Sequence, residues 1–370
     1  MEQRRGSRGA AMMRRTLCLA VLAASANGQQ IYDLLLKNGN VLDPANRRSG
    51  RMDVAVIGTR IARVAAGLPA AHARVTIDAS GYFVTPGLID IHARFGPEGV
   101  LPDHNELPSG VTTAVDAGSS GSRSFEDFKT TVIDRSKTQV LAFLDAGDDP
   151  EAAARTAQKY PKVIVGIAAD AKSLDRALKA AELSHTVVMT ESSSGLSRLR
   201  PGDIAAEVYA RPAPEGMPEA RKRGVLFGSD VFRFGIAVPA IRQGLLPDTI
   251  STGMDPISIL LPRANMATTI SKFLNMGLTV EQIIERVTVN PARAIRRTDL
   301  GTLSEGAGAD IALIEAREGS FGFLDSGHGR LDGKQRLRCV LTVRNGAIVW
   351  DSEGLGATDS SRAGPYSNFK

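Results

Sequence analysis

The run Phe83–His92, which reads FVTPGLIDIH, constrains the fold of this chain more than any other stretch. It is apolar, it contains the turn pair Pro86-Gly87, and it ends among polar residues, so it predicts a buried strand. The end of this strand carries Asp90, His92 and Arg94. A histidine in such a place faces either a protein core or a metal ion. Arginine has no lone pair for a metal, so only His92 could be a nitrogen ligand here.

The middle of the chain, residues 86–299, alternates short apolar segments with segments of helical pattern. This alternation predicts βα units around a parallel sheet, and eight units predict a (β/α)8 TIM barrel. Asp149-Pro150 and the pattern Thr279-x-x-Gln282 predict helix starts. The eight predicted strands are Leu88–His92, Thr112–Asp116, Val140–Asp145, Val163–Ala168, Thr186–Met189, Asp203–Val208, Gly224–Phe227 and Thr249–Thr252.

The two ends of the chain are rich in β-patterned segments. Asn38-Gly39, Gly58-Thr59 and Asn345-Gly346 each separate two apolar runs and predict hairpins. Matching ends around a different middle predict one small β-sandwich domain assembled from both ends. The predicted division is a signal peptide or tail at 1–28, the composite β-domain at 29–85 and 300–352, the barrel at 86–299, and a flexible tail at 353–370.

Residues 12–26 have the three parts of a secretory signal peptide. Arg14 and Arg15 precede the apolar run Leu17–Ala24, and Ala24-Ser25-Ala26 is a cleavage pattern, so we expect a periplasmic or secreted protein with no membrane insertion after cleavage. Residues 1–26 also hold +4 of the net charge of +5, because five arginines there oppose Glu2. Without a basic stripe interleaved with aromatic residues, the sequence gives no support for nucleic-acid binding. After cleavage Cys339 stands alone, which leaves no intramolecular disulfide.

The segment PGLIDIH at 86–92 resembles the first barrel strand of the amidohydrolase superfamily, whose signature is P-G-x-I-D-x-H-x-H. Further landmarks of the family are similar at Ser109–Thr113, Thr288–Ala292 and Gly301–Asp310, and the closest branch is that of the dihydroorotase-like amidohydrolases and deacetylases. The resemblance implies a TIM barrel with a small β-sandwich. It also implies a small-molecule substrate, a divalent metal centre that holds zinc in the family, and hydrolysis of a C–N bond, in a cyclic amide or an N-acyl group, by metal-activated water.

The resemblance also implies positions for the metal ligands. The family places two His on strand 1, a carboxylated Lys on strand 4, one His each on strands 5 and 6, and an Asp base on strand 8. In this chain His92 matches the first position, whereas Arg94, Ala168, Glu207 and Gly253 stand at four of the others, and strand 5 ends without His. One imidazole cannot build a binuclear zinc site.

Carboxylates follow most of the predicted barrel strands. One interpretation is that they cap helices and turns. The other is an oxygen-rich mouth suited to Mg²⁺ or Mn²⁺, with His92 and Glu207 as metal ligands and Asp255 as the catalytic residue. Arg94 would compete with a cation by pairing with Glu207 or Asp255. The carboxylates in question are Asp116, Asp145, Asp170, Glu191, Glu207, Asp230 and Asp255.

Three functions stay open at this point. The chain is a hydrolase of the amidohydrolase type with an altered site and weak or absent activity, or a non-catalytic relative that keeps the barrel for binding, or a barrel with shortened loops and no function of its own. Assembly as a homo-oligomer also stays open, because nothing in the sequence decides it.

Overall fold

The computed structural model describes residues 31–96, 100–191, 195–212, 216–258 and 265–362. The signal-peptide prediction for residues 12–26 lies outside these ranges, and export stays a prediction. The serine-rich stretch 192–194 is outside them too.

Strands from both ends of the chain share one sheet of eight strands. Its order is β16-β15-β14-β5-β1-β2-β3, with β4 also paired to β1. The two ends meet where β5 runs antiparallel to β14. Apolar side chains of β1, β2 and β3 join those of β14 and β15 in one buried core, so the sheet folds over on itself. The strands are β1 Tyr32–Asp43, β2 Arg48–Ile57, β3 Arg60–Ala65, β4 Ala73–Asp78, β5 Phe83–Pro86, β14 Ile311–Leu324, β15 Arg330–Arg344 and β16 Ala347–Asp351.

The three predicted hairpins have different outcomes. Gly58-Thr59 and Asn345-Gly346 do connect antiparallel strands, β2–β3 and β15–β16. The hairpin at Asn38-Gly39 is wrong, because β1 continues through it along β2. Asn38 has φ of 62° at a shift of the pairing register, and its N–H donates to Asp53 Oδ1 at 2.7 Å. Pairing with β2 on both sides of Asn38 therefore turns the same local signal into a bulge.

Eight parallel strands, β6 to β13, follow one another in chain order and close into a barrel. The seam is closed by Arg94 N–H donating to Met254 O at 2.7 Å and Gly253 N–H donating to His92 O at 2.9 Å. This confirms the predicted fold class. The strands are β6 Leu88–Ala93, β7 Val111–Gly121, β8 Gln139–Asp145, β9 Ile164–Ala169, β10 Val187–Thr190, β11 Ile204–Ala205, β12 Leu226–Ser229 and β13 Thr249–Ile250.

The stretch Phe83–His92 is two strands rather than the one predicted. It breaks at Gly87, so that β5 pairs in the β-sheet and β6 begins the barrel. A Cβ at Gly87 would lie 2.1 Å from Thr112 Oγ1, which explains glycine at this crossing. One short stretch thus connects both sheets and delivers His92 to the carboxyl end of the first barrel strand.

The helices surround the barrel and have the predicted starts. Asp149 accepts a hydrogen bond from Ala152 N–H before α3, and Thr279 with Gln282 forms a complete capping box before α8. None of the described helices is long and apolar enough to cross a membrane. The helices are α1 Pro102–Asn105, α2 Phe125–Thr131, α3 Pro150–Lys159, α4 Leu174–Ser184, α5 Met217–Lys222, α6 Phe234–Arg242, α7 Met266–Met276, α8 Val280–Val287 and α9 Val289–Ala294.

Candidate functional site

His92 lies at the mouth of the barrel with both ring nitrogens in contact with carboxylates. Nδ1 contacts Asp230 Oδ2, directly after β12, and Nε2 lies 3.0 Å from Glu191 Oε1, directly after β10. The exposed fraction of the side chain is 6% for His92 and 1% for Asp230, so this contact is shielded from water. The imidazole therefore has no free lone pair directed at another group.

Arg94 extends this arrangement by contacting the same oxygen, Glu191 Oε1. The prediction that Arg94 pairs with Glu207 or Asp255 is therefore wrong. Glu191 already lies beside His92, and one guanidinium contact completes a chain of charges in the order Arg94, Glu191, His92 and Asp230. We call these four residues the mouth ion-pair chain.

The pKa of Glu191 reflects its place in the mouth ion-pair chain. Burial on its own would raise this pKa, but the hydrogen bond from His92 and the charges of His92 and Arg94 outweigh burial and hold it below its usual range. Glu191 is accordingly ionised at neutral pH and neutralises the cation that Arg94 brings into the mouth.

The three residues predicted from the sequence as metal ligands and catalytic group, His92, Glu207 and Asp255, line one cavity of about 90 Å³. Glu207 has φ of 58°, and burial, helped by the charge of Glu191, raises its pKa above the ordinary value. Asp255 Oδ1 accepts hydrogen bonds from the N–H groups of Ile257 at 3.0 Å and Ser258 at 2.6 Å, which form a turn. The structure brings the three together, and their roles stay predictions.

A second, larger cavity of about 600 Å³ lies above strands β7 to β10. It shares Arg94 and Glu191 with the small cavity, so this ion pair stands between the two. Alanine, glycine and serine residues form part of its lining. Three permanent cations and four carboxylates also line it: Arg94, Lys172, Arg176, Asp145, Asp148, Asp170 and Glu191.

Two further carboxylates of the predicted mouth, like Asp255, accept hydrogen bonds from backbone N–H groups. Asp116 accepts from the N–H groups of Phe95 at 3.0 Å and Ser119 at 2.8 Å, and burial raises its pKa to about 6. Asp170 accepts from Ser173 N–H at 2.8 Å and from its hydroxyl at 2.7 Å, and these bonds lower its pKa. The capping interpretation therefore accounts for these two.

The donor atoms at the mouth do not fit the pair of metal ions that the resemblance implies. The imidazole of His92 is engaged at both nitrogens, and Arg94 places a permanent cation on Glu191. Within the described ranges, no group of three or more His, Cys, Asp or Glu side chains is arranged to hold a metal ion. Local repulsion among carboxylates is relieved by Arg94 and His92.

Sequence reasoning gave no role to two acidic residues, Asp90 on strand β6 and Glu106 in the connection to β7. Asp90 is buried and accepts from His92 N–H at 3.1 Å and from Thr252 Oγ1 at 2.5 Å, so it fixes the strand end that carries His92. Glu106 is fully buried, and neither of its carboxylate oxygens has a hydrogen-bond partner in the described part of the chain. Burial and nearby Asp90 raise the pKa of Glu106 well above its usual value. A glutamate in a short loop gives no sequence signal of burial.

No family profile matches the chain. Curated proteins do: Deacetylase Atu3266 of Agrobacterium fabrum is 27% identical over 335 residues, which cover 75% of this chain and 81% of that protein. A deacetylase of Enterococcus faecalis is 26% identical over 374 residues, covering 86% of this chain and 99% of that protein. Among solved structures, an adenine deaminase has a TM-score of 0.78 and a dihydroorotase 0.77, each 24% identical and covering 86% of this chain and 99% of theirs.

The parallel barrel and these relatives together define the class of protein to which the chain belongs. The chain belongs to the amidohydrolase superfamily. Within it, the deacetylase relatives place the chain in the dihydroorotase-like branch.

Proposed function

We propose that this chain uses the amidohydrolase barrel to bind a small molecule and hydrolyses C–N bonds weakly or not at all. The observation that carries the proposal is the engagement of both His92 nitrogens, by Asp230 and Glu191. A zinc ligand donates a lone pair from one nitrogen and commonly holds a carboxylate with the other. Here carboxylates occupy both nitrogens, so metal-activated water has no ligand set to hold it.

The electrostatics of Arg94 favour the same conclusion. A divalent ion about 6 Å from a guanidinium is repelled by roughly 5 kcal/mol at the intermediate dielectric of a partly buried site. Glu191, the carboxylate nearest to Arg94, is already committed to it. Arg94 thus supplies permanently the positive charge that a metal ion would bring.

A second candidate is residual hydrolysis by a protein acid, without paired metals. Its support is Glu207, whose pKa is raised by burial and which shares the small cavity with Arg94. A carboxyl group of raised pKa can donate a proton to a leaving nitrogen, and a guanidinium can stabilise a developing oxyanion.

Metal analysis combined with turnover tests the proposal. We expect the purified full chain to contain far less than two zinc ions and little manganese or magnesium. We also expect it to show little turnover of dihydroorotate or of N-acetyl amino acids. Arg94→His alone should not restore turnover, because Ala168 and Gly253 remain at the positions implied for the bridging Lys and the base. Two zinc ions per chain, with turnover abolished by a chelator, would show the proposal to be wrong.

The second candidate makes a separate prediction. Turnover that survives a chelator and is lost in Glu207→Gln would support hydrolysis by the protein acid. Turnover that is equal in the wild type and in Glu207→Gln would reject it.

A further inference from the structure

The 600 Å³ cavity has charges that the protein itself leaves partly unused. Arg94 gives one side-chain contact, to Glu191, and its side chain is 46% exposed. Neither Lys172 Nζ nor the carboxylate of Asp145 has a hydrogen-bond partner in the part of the chain that is described.

The other carboxylates of this cavity already have partners within the protein. Asp148 Oδ1 lies 3.8 Å from Arg176 Nη2, and Asp170 accepts from a turn at Lys172 and Ser173. Glu191 contacts both His92 and Arg94. Among the described residues, what remains for a charged ligand is two sources of positive charge, Arg94 and Lys172, and one carboxylate without a partner, Asp145.

We propose that this cavity binds a small carboxylate that also carries a neutral hydrogen-bond donor, and that the ligand carboxylate replaces Glu191 on Arg94. The inference rests on the proposed function, because it needs a mouth held by the ion-pair chain rather than by metals. The guanidinium suits a carboxylate because it offers two parallel N–H groups to two oxygens. The donor of the ligand faces Asp145.

The exchange leaves no charge of the mouth ion-pair chain without a partner. When Arg94 turns to the ligand, Glu191 keeps its contact with His92 at 3.0 Å, and His92 keeps Asp230. Because Arg94 and Glu191 line both cavities, their separation also opens a path from the large cavity to the small one that holds Glu207. The salt bridge therefore acts as a gate that a carboxylate opens.

Three probes of similar size separate the recognition elements. Glycolate has a carboxylate and a hydroxyl donor, glycolamide is its neutral counterpart, and ethanolamine is the cationic one. Binding is measured by ligand-observed NMR on the full chain in the presence of a chelator, so that adventitious metal plays no part. We expect saturable binding of glycolate only. Binding of glycolamide or ethanolamine at equal or higher affinity, or binding of none of the three, would overturn the proposal.

Two variants test the exchange itself. Glu191→Gln removes the internal competitor, and glycolate should bind about fivefold more tightly, as expected for a partly exposed ion pair. Arg94→Met keeps an unbranched side chain but removes the guanidinium, and the affinity for glycolate should fall at least about tenfold. Arg317→Gln, an exposed charge change on strand β14, is the matched control and should leave affinity unchanged.

The outcomes remain distinguishable from those of the proposed function. Weaker binding in Glu191→Gln than in the wild type would contradict the gate, even when metal content and turnover are both low. Circular dichroism of Arg94→Met establishes that the variant is folded. If Arg94→Met is unfolded, the Glu191→Gln result decides alone.

Discussion

Removal of the His92 imidazole is the sharpest test of the mouth ion-pair chain. In His92→Ala, Asp230 keeps its carboxylate at 1% exposure and loses its side-chain partner, so that only Val231 N–H, at 2.6 Å from Oδ1, still contacts it. Removing one side chain of a buried charged pair costs about 3–5 kcal/mol, because the charge that stays behind keeps only part of its compensation. The Glu191 contact adds less than about 1 kcal/mol, since the Glu191 side chain is 31% exposed and retains Arg94. We therefore expect His92→Ala to lower the free energy of unfolding by about 3–5 kcal/mol.

The measurement is urea unfolding followed by circular dichroism, with the double variant His92→Ala/Asp230→Ala completing a cycle. The double variant should be less destabilised than the sum of the two single variants by about 0.5–3 kcal/mol, because the two side chains contact each other. His104→Ala, an exposed histidine on α1, is the control and should change stability by less than about 0.5 kcal/mol.

An active-site metal ligand would behave differently. Its removal releases the metal and changes the stability of the metal-free protein little. Unchanged stability in His92→Ala, or strictly additive effects in the double variant, would refute the ion-pair interpretation.

Three further predictions concern other parts of the molecule. Because burial raises the pKa of Glu106, the folded protein holds a proton that the unfolded chain releases above about pH 4.5, so this group costs stability increasingly as pH rises. In urea unfolding, Glu106→Gln should raise the free energy of unfolding relative to the wild type by more at pH 8 than at pH 5. An equal difference at the two pH values would contradict this prediction. Phe143→Ala, inside the barrel, should lower the free energy of unfolding by about 3–5 kcal/mol in the same assay, because it leaves a cavity in the core. A decrease below about 1 kcal/mol would contradict a tightly packed barrel interior. If the predicted signal is cleaved, N-terminal sequencing of exported protein should begin near Asn27, and a retained Met1 or Met12 would contradict it.

Local signals were sufficient to predict the fold. Alternation of apolar strands with capped helices depends on neighbouring residues, as at Asp149 before α3 and Thr279 before α8. The errors occur where distant partners decide. Asn38 would form a hairpin on local grounds, but pairing of β1 with β2 on both sides makes it a bulge. Gly87 divides an apparent single strand because the first half, β5, pairs with β14 in the other sheet.

The site was only partly predictable for the same reason. That His92, Glu207 and Asp255 lie together follows from the rule that barrel strands present their carboxyl ends at one face. Which carboxylate meets which cation depends on positions that are far apart in the chain, 97 residues for Arg94 and Glu191 and 138 for His92 and Asp230. Carboxylates of the same type at strand ends are equivalent in sequence, so their partners cannot be chosen without coordinates.

The mouth ion-pair chain also explains how this barrel tolerates a cluster of charges. Residues 27–370 have a net charge of only +1, yet carboxylates follow most barrel strands. Backbone N–H groups stabilise some of them, as at Asp116, and Arg94 and His92 neutralise others. The four residues of the mouth ion-pair chain thus satisfy one another electrostatically. A ligand binds there by exchanging partners with an existing ion pair, and for that reason a monovalent carboxylate fits this mouth better than a divalent cation does.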